Sequence, residues 1–199
     1  IRHTNPCPAI VAAALQSLGQ RTLRTSTQLN PSSVTDLNKD WLLQCLDTAR
    51  AAADAAARVH LEAAGTVHAD AARAKDTADF VSHVDEAAQE AALAIIRGRH
   101  PDHLILAEED EAPPALPDDD TPLWVVDPLD GTTNFLHGHP MHVASVALTV
   151  AGRSVVGAVT CGPTGERWWA ARGLGAFKSE RAGGGSAAAA AGGDGAAGS

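Results

Sequence analysis

Two carboxylates stand close together at the end of an apolar run, in the stretch WVVDPLDGTTNF at residues 124–135. Pro128 follows the first of them, Asp127, and its ring crowds the preceding backbone, which keeps Asp127 out of a helix. The chain must therefore turn sharply where the apolar run ends. Such a turn can bring Asp127, Asp130 and the Leu129 carbonyl to one point, and oxygen ligands of this kind favour Mg²⁺ or Mn²⁺.

A glycine and a threonine follow the second acid. Gly131 lets the backbone approach a ligand closely, and a helix that begins at Thr132 would present free N–H groups to an anion such as phosphate. A simpler interpretation uses the same residues, because Asp-Pro and Asp-Gly pairs often form Asx turns that cap a helix. The spacing alone does not choose between a metal–phosphate site and a helix cap.

A second acidic cluster, Glu108, Glu109 and Asp110, ends a predicted short strand at 103–107. If that strand lies beside the one that ends at Asp127, the two sets of carboxylates can converge. Carboxylates that converge repel each other strongly unless cations lie between them. The alternative is that Glu108 to Asp110 simply begin a solvated loop.

The composition excludes several classes of protein. The chain has 199 residues and a net charge of −9, with no basic stripe to meet phosphates, so we expect no nucleic-acid partner. No apolar run is long enough to cross a membrane. Three distant cysteines (Cys7, Cys45 and Cys161) predict neither a disulfide framework nor a zinc cluster. The expected protein is soluble.

Helix signals come first along the chain and strand signals follow. The apolar rhythm predicts a long helix over 39–74, with a break at 65 as an option, an extended piece over 79–82 and a second helix over 85–99. Strand signals then come in series, with a hairpin turn at 151–153. This order predicts an α+β fold, two helices packed on a mostly antiparallel sheet. The predicted strands span 103–107, 123–126, 143–150, 155–160, 166–171 and 173–177.

Three segments differ in composition. Residues 1–37 form an N-terminal extension, and its first 35 residues lack acids but carry three arginines. That composition suits an organelle transit peptide or an ordinary extension, so we expect a chloroplast or mitochondrial location in the first case and a cytoplasmic one in the second. Residues 38–181 form the α+β domain. Residues 182–199 are almost entirely Ala and Gly, which predicts a disordered tail.

Two further groups of residues have structural interpretations. His137, His139 and His142 lie close together, but Pro140 breaks any helical spacing and no cysteine is near, so zinc is disfavoured. Trp168 and Trp169 are neighbours on a predicted strand and must therefore point to opposite faces. Packing in the core or at an interface is the expected role of both indoles.

Five stretches, in order, resemble the inositol monophosphatase family, a group of Mg²⁺-dependent, lithium-sensitive phosphatases. The resemblance spans about residues 40–180. The resembling parts are WVVDPLDGTTNFLHGHPMHVASVAL at 124–148, KDTADFVSHVD at 75–85, an acid at Glu90, HPDHLILAEE at 100–109 and GLGAF at 173–177.

The resemblance implies a role for each matching residue. Two or three Mg²⁺ ions, with Mn²⁺ as a substitute, would be bound by Glu109, Asp127, Asp130 and the Leu129 carbonyl. The substrate phosphate would contact Asp130 and the Gly131 and Thr132 amides. The attacking water would be oriented by Thr132 and Glu109, with Asp85 bonded to Thr132, and Lys75 and Glu108 would support the site. The cations would lower the pKa of that water and neutralise phosphate charge.

The resemblance also implies a layered αβαβα sandwich, of which this chain carries the N-terminal half. The later α/β layer of the family, with a W-D-x-A-A-G segment that supplies another metal ligand, has no counterpart, so we expect a truncated chain. The sequence is silent on oligomeric state, although family members are commonly dimers and a homodimer would fit.

The expected activity is hydrolysis of inositol monophosphate to inositol and phosphate by a metal-activated water. Histidinol-phosphate, sugar-bisphosphate and nucleotide-bisphosphate phosphatases are alternatives within the class. Outside it, the chain would be a catalytically inactive remnant that binds metal or a partner, or an acidic calcium-binding module, although no EF-hand spacing is present.

Overall fold

A computed structural model describes residues 37–70, 74–108, 110, 117 and 120–179. The predicted N-terminal extension, apart from its last residue, and the Ala/Gly-rich tail lie outside these residues. The helices are α1 (Lys39–Asp70), α2 (Ala74–Arg99) and α3 (Thr132–Leu136). The strands are β1 (Leu104–Ala107), β2 (Leu123–Asp130), β3 (Val143–Val150), β4 (Arg153–Thr160), β5 (Arg167–Ala171) and β6 (Gly175–Ser179).

The six strands form one sheet in the order of the chain, β1 to β6. Only β1 and β2 run parallel, and each later pair is antiparallel. The two long helices precede the sheet in sequence and pack on it, so the predicted α+β class with a mostly antiparallel sheet is confirmed. The parallel pair matters for function, because it brings the ends of β1 and β2 to the same edge of the sheet.

Helix α1 begins at a side-chain cap. The Asn38 carboxamide oxygen accepts hydrogen bonds from the Asp40 and Trp41 amides at 2.8 and 3.0 Å. This is the usual way to satisfy the free N–H groups of a first helical turn. The helix continues through Gly65 without the break that the sequence allowed. Its buried side is built largely of alanines, which let the helix lie close to its neighbours: Ala49, Ala52, Ala53, Ala56 and Ala57.

Helix α2 corrects one prediction. The extended piece expected over 79–82 is helical, because α2 begins at Ala74 and runs to Arg99. Short runs of β-branched and aromatic residues fit a strand locally, but tertiary packing overrides such weak preferences. Val84, near that segment, is buried and packs in a small apolar cluster with Leu129 and Phe135. The helix thereby reaches the edge of the sheet where β2 ends.

The main core lies between the two long helices and the sheet. Trp124 and Val126 from β2 are completely buried there, together with Ile96 from α2 and Leu148 from β3. Burial of each such side chain contributes about 1.5–3 kcal/mol, so β2 is anchored firmly up to Val126. No helix in the described part of the chain is long and apolar enough to span a membrane.

The later strands follow the predicted pattern. Ala151 and Gly152, both with positive φ, make the two-residue turn of the predicted β3–β4 hairpin. The Arg50 guanidinium lies 4.3 Å from the Trp169 ring, and the Lys178 amine lies 5.5 Å from the Trp168 ring. The two indoles have different neighbours, as expected for adjacent residues of a strand, and Trp169 packs against the main core.

Candidate metal and phosphate site

Strand β2 does not stop at Val126, as the sequence predicted, but continues to Asp130 through an irregularity. Asp127 pairs with Ser145 of β3 and Asp130 pairs with Val143, so the register shifts between the two acids. Between these pairs, two residues of β2, Pro128 and Leu129, lie opposite one residue of β3, Ala144, which is the signature of a bulge. The bulge contains Pro128, which has no amide proton to give to a ladder. The predicted turn is therefore a bulge within a strand.

Two side chains from outside the strand hold the carbonyls of the bulge. The Pro128 carbonyl lies 2.8 Å from Nε2 of His60, a buried residue of α1. The Leu129 carbonyl accepts a hydrogen bond of 3.1 Å from the Thr132 hydroxyl. That bond occupies the single hydroxyl proton of Thr132, so the bond from Thr132 to Asp85 stays a prediction.

Glu108 lies next to Asp127, as the parallel pairing of their strands requires. Ala107 is in register with Val126, and the Glu108 amide donates to the Val126 carbonyl at 3.1 Å. The pKa of Asp127 is raised to about 8. Burial is the largest cause, and the charges of Glu108, Asp130 and Asp85 and a hydrogen bond with Glu108 act in the same direction. The convergence of two strand ends, predicted from the acids alone, places these carboxyl groups together.

Among the residues that the structure describes, no basic side chain compensates the charge of this cluster. Burial, followed by the charge of Glu108, also raises the pKa of Asp130. Asp85 is buried, with 7% of its surface exposed. Within the described ranges no lysine or arginine forms an ion pair with Glu108, Asp127 or Asp130. One carboxylate oxygen of Asp127, Oδ1, is buried without a hydrogen-bond partner.

These features fit a cation, but the described residues do not complete a cage for one. No three His, Cys, Asp or Glu side chains in that part of the chain are arranged to hold a metal ion. Glu109, the predicted first ligand, lies outside it, and nothing is described of the Lys75 side chain. Neighbouring carboxyl groups repel each other when both are ionised, and the hydrogen bond between Asp127 and Glu108 allows the two groups to share a proton.

Gly131 is required by the backbone itself. Its φ is +96°, and a Cβ there would lie 3.0 Å from the Met141 carbonyl oxygen. The Asn134 side-chain amide also bonds to that carbonyl, at 2.6 Å, so α3 and the chain before β3 are tied together. Gly131 is the N-cap of α3 and receives no side-chain hydrogen bond. The N-cap of α3 is thus a glycine and not one of the two acids.

One histidine beneath the bulge, His60, escaped the sequence analysis, and it packs against His142. His60 is completely buried and His142 is 4% exposed, and their ring centroids are 5.4 Å apart. Phe135 of α3 packs edge-on against His142, with centroids 5.1 Å apart. Burial, then the charge of His142, lowers the pKa of His60 to about 4. The only signal for His60 was a polar residue within an alanine-rich apolar face.

The remaining sequence candidates do not join the site. Asp110 holds its own turn, accepting from the Ala107 amide and from the Gln89 side chain at 3.3 and 3.2 Å. His137 and His139 are exposed, whereas His142 is buried, so these three histidines do not face one another. Among the described residues of the acidic cluster, Glu108 is the one that contacts β2.

Comparison with known proteins defines the class. A sequence model of the inositol monophosphatase family matches residues 41–190, and the chain belongs to that family. A relative from Pasteurella multocida, named Nus factor SuhB, is 45% identical over 103 residues, which cover 51% of this chain and 38% of that protein. A fructose-1,6-bisphosphatase/inositol-1-monophosphatase from Aquifex aeolicus is 35% identical over 136 residues, covering 68% of this chain and 50% of that one.

Solved structures agree with this membership. The extragenic suppressor protein suhB of Bartonella henselae matches with a TM-score of 0.57 and 32% identity, over 67% of this chain and 50% of that one. The inositol monophosphatase of Anabaena matches with a TM-score of 0.55 and 34% identity, over 70% and 46%. The chain thus spans about half the length, or less, of the relatives that it matches.

Proposed function

We propose that the protein is a Mg²⁺-dependent phosphomonoesterase that acts on a small phosphorylated alcohol, with inositol monophosphate as the leading substrate. The observation that supports this proposal most strongly is the buried, uncompensated carboxyl group of Asp127 at the converging ends of β1 and β2. A protein that only needed to fold would gain nothing from placing several carboxyl groups together in a buried position.

The cation ligands would be Asp127, Asp130, the Leu129 carbonyl and one or both glutamates of the 108–109 pair. The sequence favoured Glu109 as the ligand and Glu108 as support. The geometry supports Glu108 as a ligand as well, because its carboxyl group bonds to Asp127 and raises the pKa of Asp130, whereas Glu109 lies outside the described residues. Bound at this edge, the cations would neutralise phosphate charge and lower the pKa of the attacking water.

The substrate phosphate would lie against the first turn of α3. The Gly131 and Thr132 amides are the groups we assign to it, because N–H groups at the start of a helix lack partners within the helix. The positive φ of Gly131 holds the chain in the turn that starts α3. Thr132 and a glutamate of the pair would orient the water, and Asp85 would orient Thr132. Direct attack by water needs no protein nucleophile, and the described residues put only carboxylates, amides and a threonine hydroxyl here.

The substrate class follows from the family and from the charge of the site. Relatives carry different names: that of Aquifex aeolicus includes both sugar-bisphosphatase and inositol-1-monophosphatase, and that of Pasteurella multocida is a Nus factor. For this chain we propose a small phosphate ester as the partner, since its net charge of −9 opposes binding to nucleic acid. Inositol 1-phosphate, histidinol phosphate and sugar bisphosphates are the substrates to compare.

A second candidate is a form that binds cations or a partner protein without hydrolysis. It would use the same acids at the ends of β1 and β2, which can attract a cation whether or not an ester is hydrolysed. The two candidates differ in one experiment: phosphate release from these esters with Mg²⁺, with Mn²⁺ and after chelation, together with calorimetric titration of Mg²⁺. Phosphate release that chelation abolishes supports the phosphatase. Cation binding without phosphate release supports the second candidate.

A further inference from the structure

The carbonyl of Pro128 has an unusual requirement. Pro128 is among the completely buried residues, and it lies in the bulge between the two paired positions of β2. A buried backbone carbonyl without a partner costs about 1–3 kcal/mol, so the fold must supply a donor from elsewhere. The sheet does not supply one, because the register with β3 skips Pro128.

His60 supplies that donor from the middle of α1. The 2.8 Å contact joins its Nε2 to the Pro128 carbonyl, and because a carbonyl only accepts, the proton must be on Nε2. The other ring nitrogen, Nδ1, is buried without a partner. The ring is held between neighbours, with the centroids of Phe135 and His142 at 6.2 and 5.4 Å. The neutral ring of His60 therefore has a single N–H donor, which is held toward the Pro128 carbonyl.

We propose that His60 is a positioning residue for the cation site, acting through the backbone of the bulge. By fixing the Pro128 carbonyl toward α1, it directs the next carbonyl, that of Leu129, away from α1 and toward Thr132. The Pro128 and Leu129 carbonyls are consecutive in the bulge and are held by different side chains, His60 and Thr132, so a donor that fixes the first restricts the second. This inference rests on the proposed function in one respect, the use of the Leu129 carbonyl as a cation ligand.

Because His60 is distant from the acids in sequence, its effect on the site can be tested without changing any carboxylate. It belongs to α1, whereas Asp127 and Asp130 belong to β2, and the only hydrogen bond that the structure assigns to His60 is the one to Pro128. A change at His60 can thus alter the orientation of the bulge while every carboxylate stays in the chain. A merely structural histidine would affect stability and leave cation affinity unchanged.

Three variants of the full chain test the proposal. His60→Leu removes the donor and keeps a comparable apolar volume. His60→Gln keeps an N–H donor at a reach similar to that of Nε2. His100→Leu is the matched control, because His100 also makes one side-chain hydrogen bond, to Thr48 at 3.0 Å, and lies just before β1, at the far end of that strand from the acids. Mn²⁺ and Mg²⁺ affinities are measured by calorimetry, and the midpoint of thermal unfolding without cation is measured beside them.

We expect His60→Leu to weaken cation affinity about 10-fold, by analogy with the loss of a group that orients a metal ligand, and His60→Gln to stay within about 3-fold of the parent. His100→Leu should lower the unfolding midpoint and leave cation affinity unchanged. Parental affinity in His60→Leu overturns the proposal. So does an affinity in His60→Gln as low as in His60→Leu, because packing and not the hydrogen bond would then be the cause.

A measurement on the unmodified protein covers the case in which His60→Leu does not fold. Nitrogen-15 NMR of the imidazole should show the Nε2–H tautomer, and an Nδ1–H tautomer overturns the proposal. Failure of the proposed function looks different. A parent that binds Mn²⁺ but releases no phosphate removes the phosphatase and leaves the affinity test of His60 intact, whereas a parent that binds no divalent cation contradicts both.

Discussion

Two aspartates in different elements, Asp54 of α1 and Asp127 of β2, have opposite environments. Oδ1 of Asp54 in α1 accepts two hydrogen bonds, from the Thr160 hydroxyl at 2.8 Å and from the Arg167 guanidinium at 2.7 Å. Asp127 of β2 is more deeply buried, and its Oδ1 has no donor at all. One acid is satisfied by the fold, and the other lies among further acids.

The difference separates a structural acid from a candidate functional one. The Asp54 contacts link α1 to β4 and β5, and they do not depend on a bound cation. The environment of Asp127 is unfavourable without a cation, since burial and three carboxylates all raise its pKa. Such destabilised clusters persist where a ligand stabilises them, and perturbed pKa values concentrate at functional sites.

The largest effect should come from removing the charge of Asp127. We expect Asp127→Asn to lower Mg²⁺-dependent phosphate release at least ~100-fold, since groups that only orient metal ligands already contribute 10–100-fold. Asp54→Asn is the matched control, because it makes the same chemical change at a satisfied acid. Steady-state phosphate release measures both. Near-parental turnover in Asp127→Asn, or an equal loss in both variants, would break the distinction between the two acids.

The glutamate pair gives the next largest effect. We expect Glu108→Gln to weaken Mg²⁺ affinity about 10-fold, because the Glu108 carboxyl group contacts Asp127. Glu109→Gln is measured beside it, because the resemblance implies Glu109 as a ligand. Calorimetric titration of the two variants compares them directly. A larger loss in Glu109→Gln would restore the assignment that the sequence resemblance implied and would make Glu108 a supporting residue.

The stability of the cation-free protein should depend on pH through Asp127. Its pKa is raised in the folded state, so its contribution to the free energy of unfolding is full below about pH 3.8 and is lost as the pH rises through about 8. Between pH 6.5 and 8 we expect a loss of about 1.5 kcal/mol from this group.

Urea unfolding at several pH values without cation measures this dependence. Asp127→Asn should remove it, Asp54→Asn should keep it, and saturating Mg²⁺ should remove it in the parent, because a bound cation keeps the carboxylate ionised. If the free energy of unfolding of the parent does not change over this pH range, and that of Asp127→Asn does not either, Asp127 is not protonated in the folded protein.

Much of the fold could be predicted from the sequence, because in the sheet the local sequence signals agree with the tertiary structure. The strands and the Ala151–Gly152 turn predicted from the sequence are present in the sheet. The two acids of WVVDPLDGTTNF lie where a proline and a glycine predict an irregular backbone. What the sequence could not predict depends on contacts distant in sequence. Nothing local to His60 indicates Pro128, and nothing local to Asp54 indicates Arg167.

The bulge and α2 illustrate the same limit within single elements. Pro128 indicated a turn after Val126, but pairing with β3 resumes at Asp130 and keeps the segment in the sheet. Residues 79–82 looked extended, yet they are part of a helix whose Val84 packs under the bulge. In both cases partners from other elements decide the backbone conformation.

The smallest effect should be the one on stability from Asp54 itself. Its ion pair with Arg167 is partly exposed, with 35% and 40% of the two side chains accessible, so solvent screens it. We expect Asp54→Asn to lower the free energy of unfolding by less than about 1 kcal/mol, and to do so mainly at low salt. The asparagine oxygen can still accept from Thr160, which limits the loss further.

Urea unfolding at low and at high ionic strength checks this. A difference between parent and Asp54→Asn that shrinks with salt marks a screened surface pair. A large, salt-independent loss would mean that Asp54 is as desolvated as Asp127, and the contrast between the two acids would then depend on their partners alone and not on their burial.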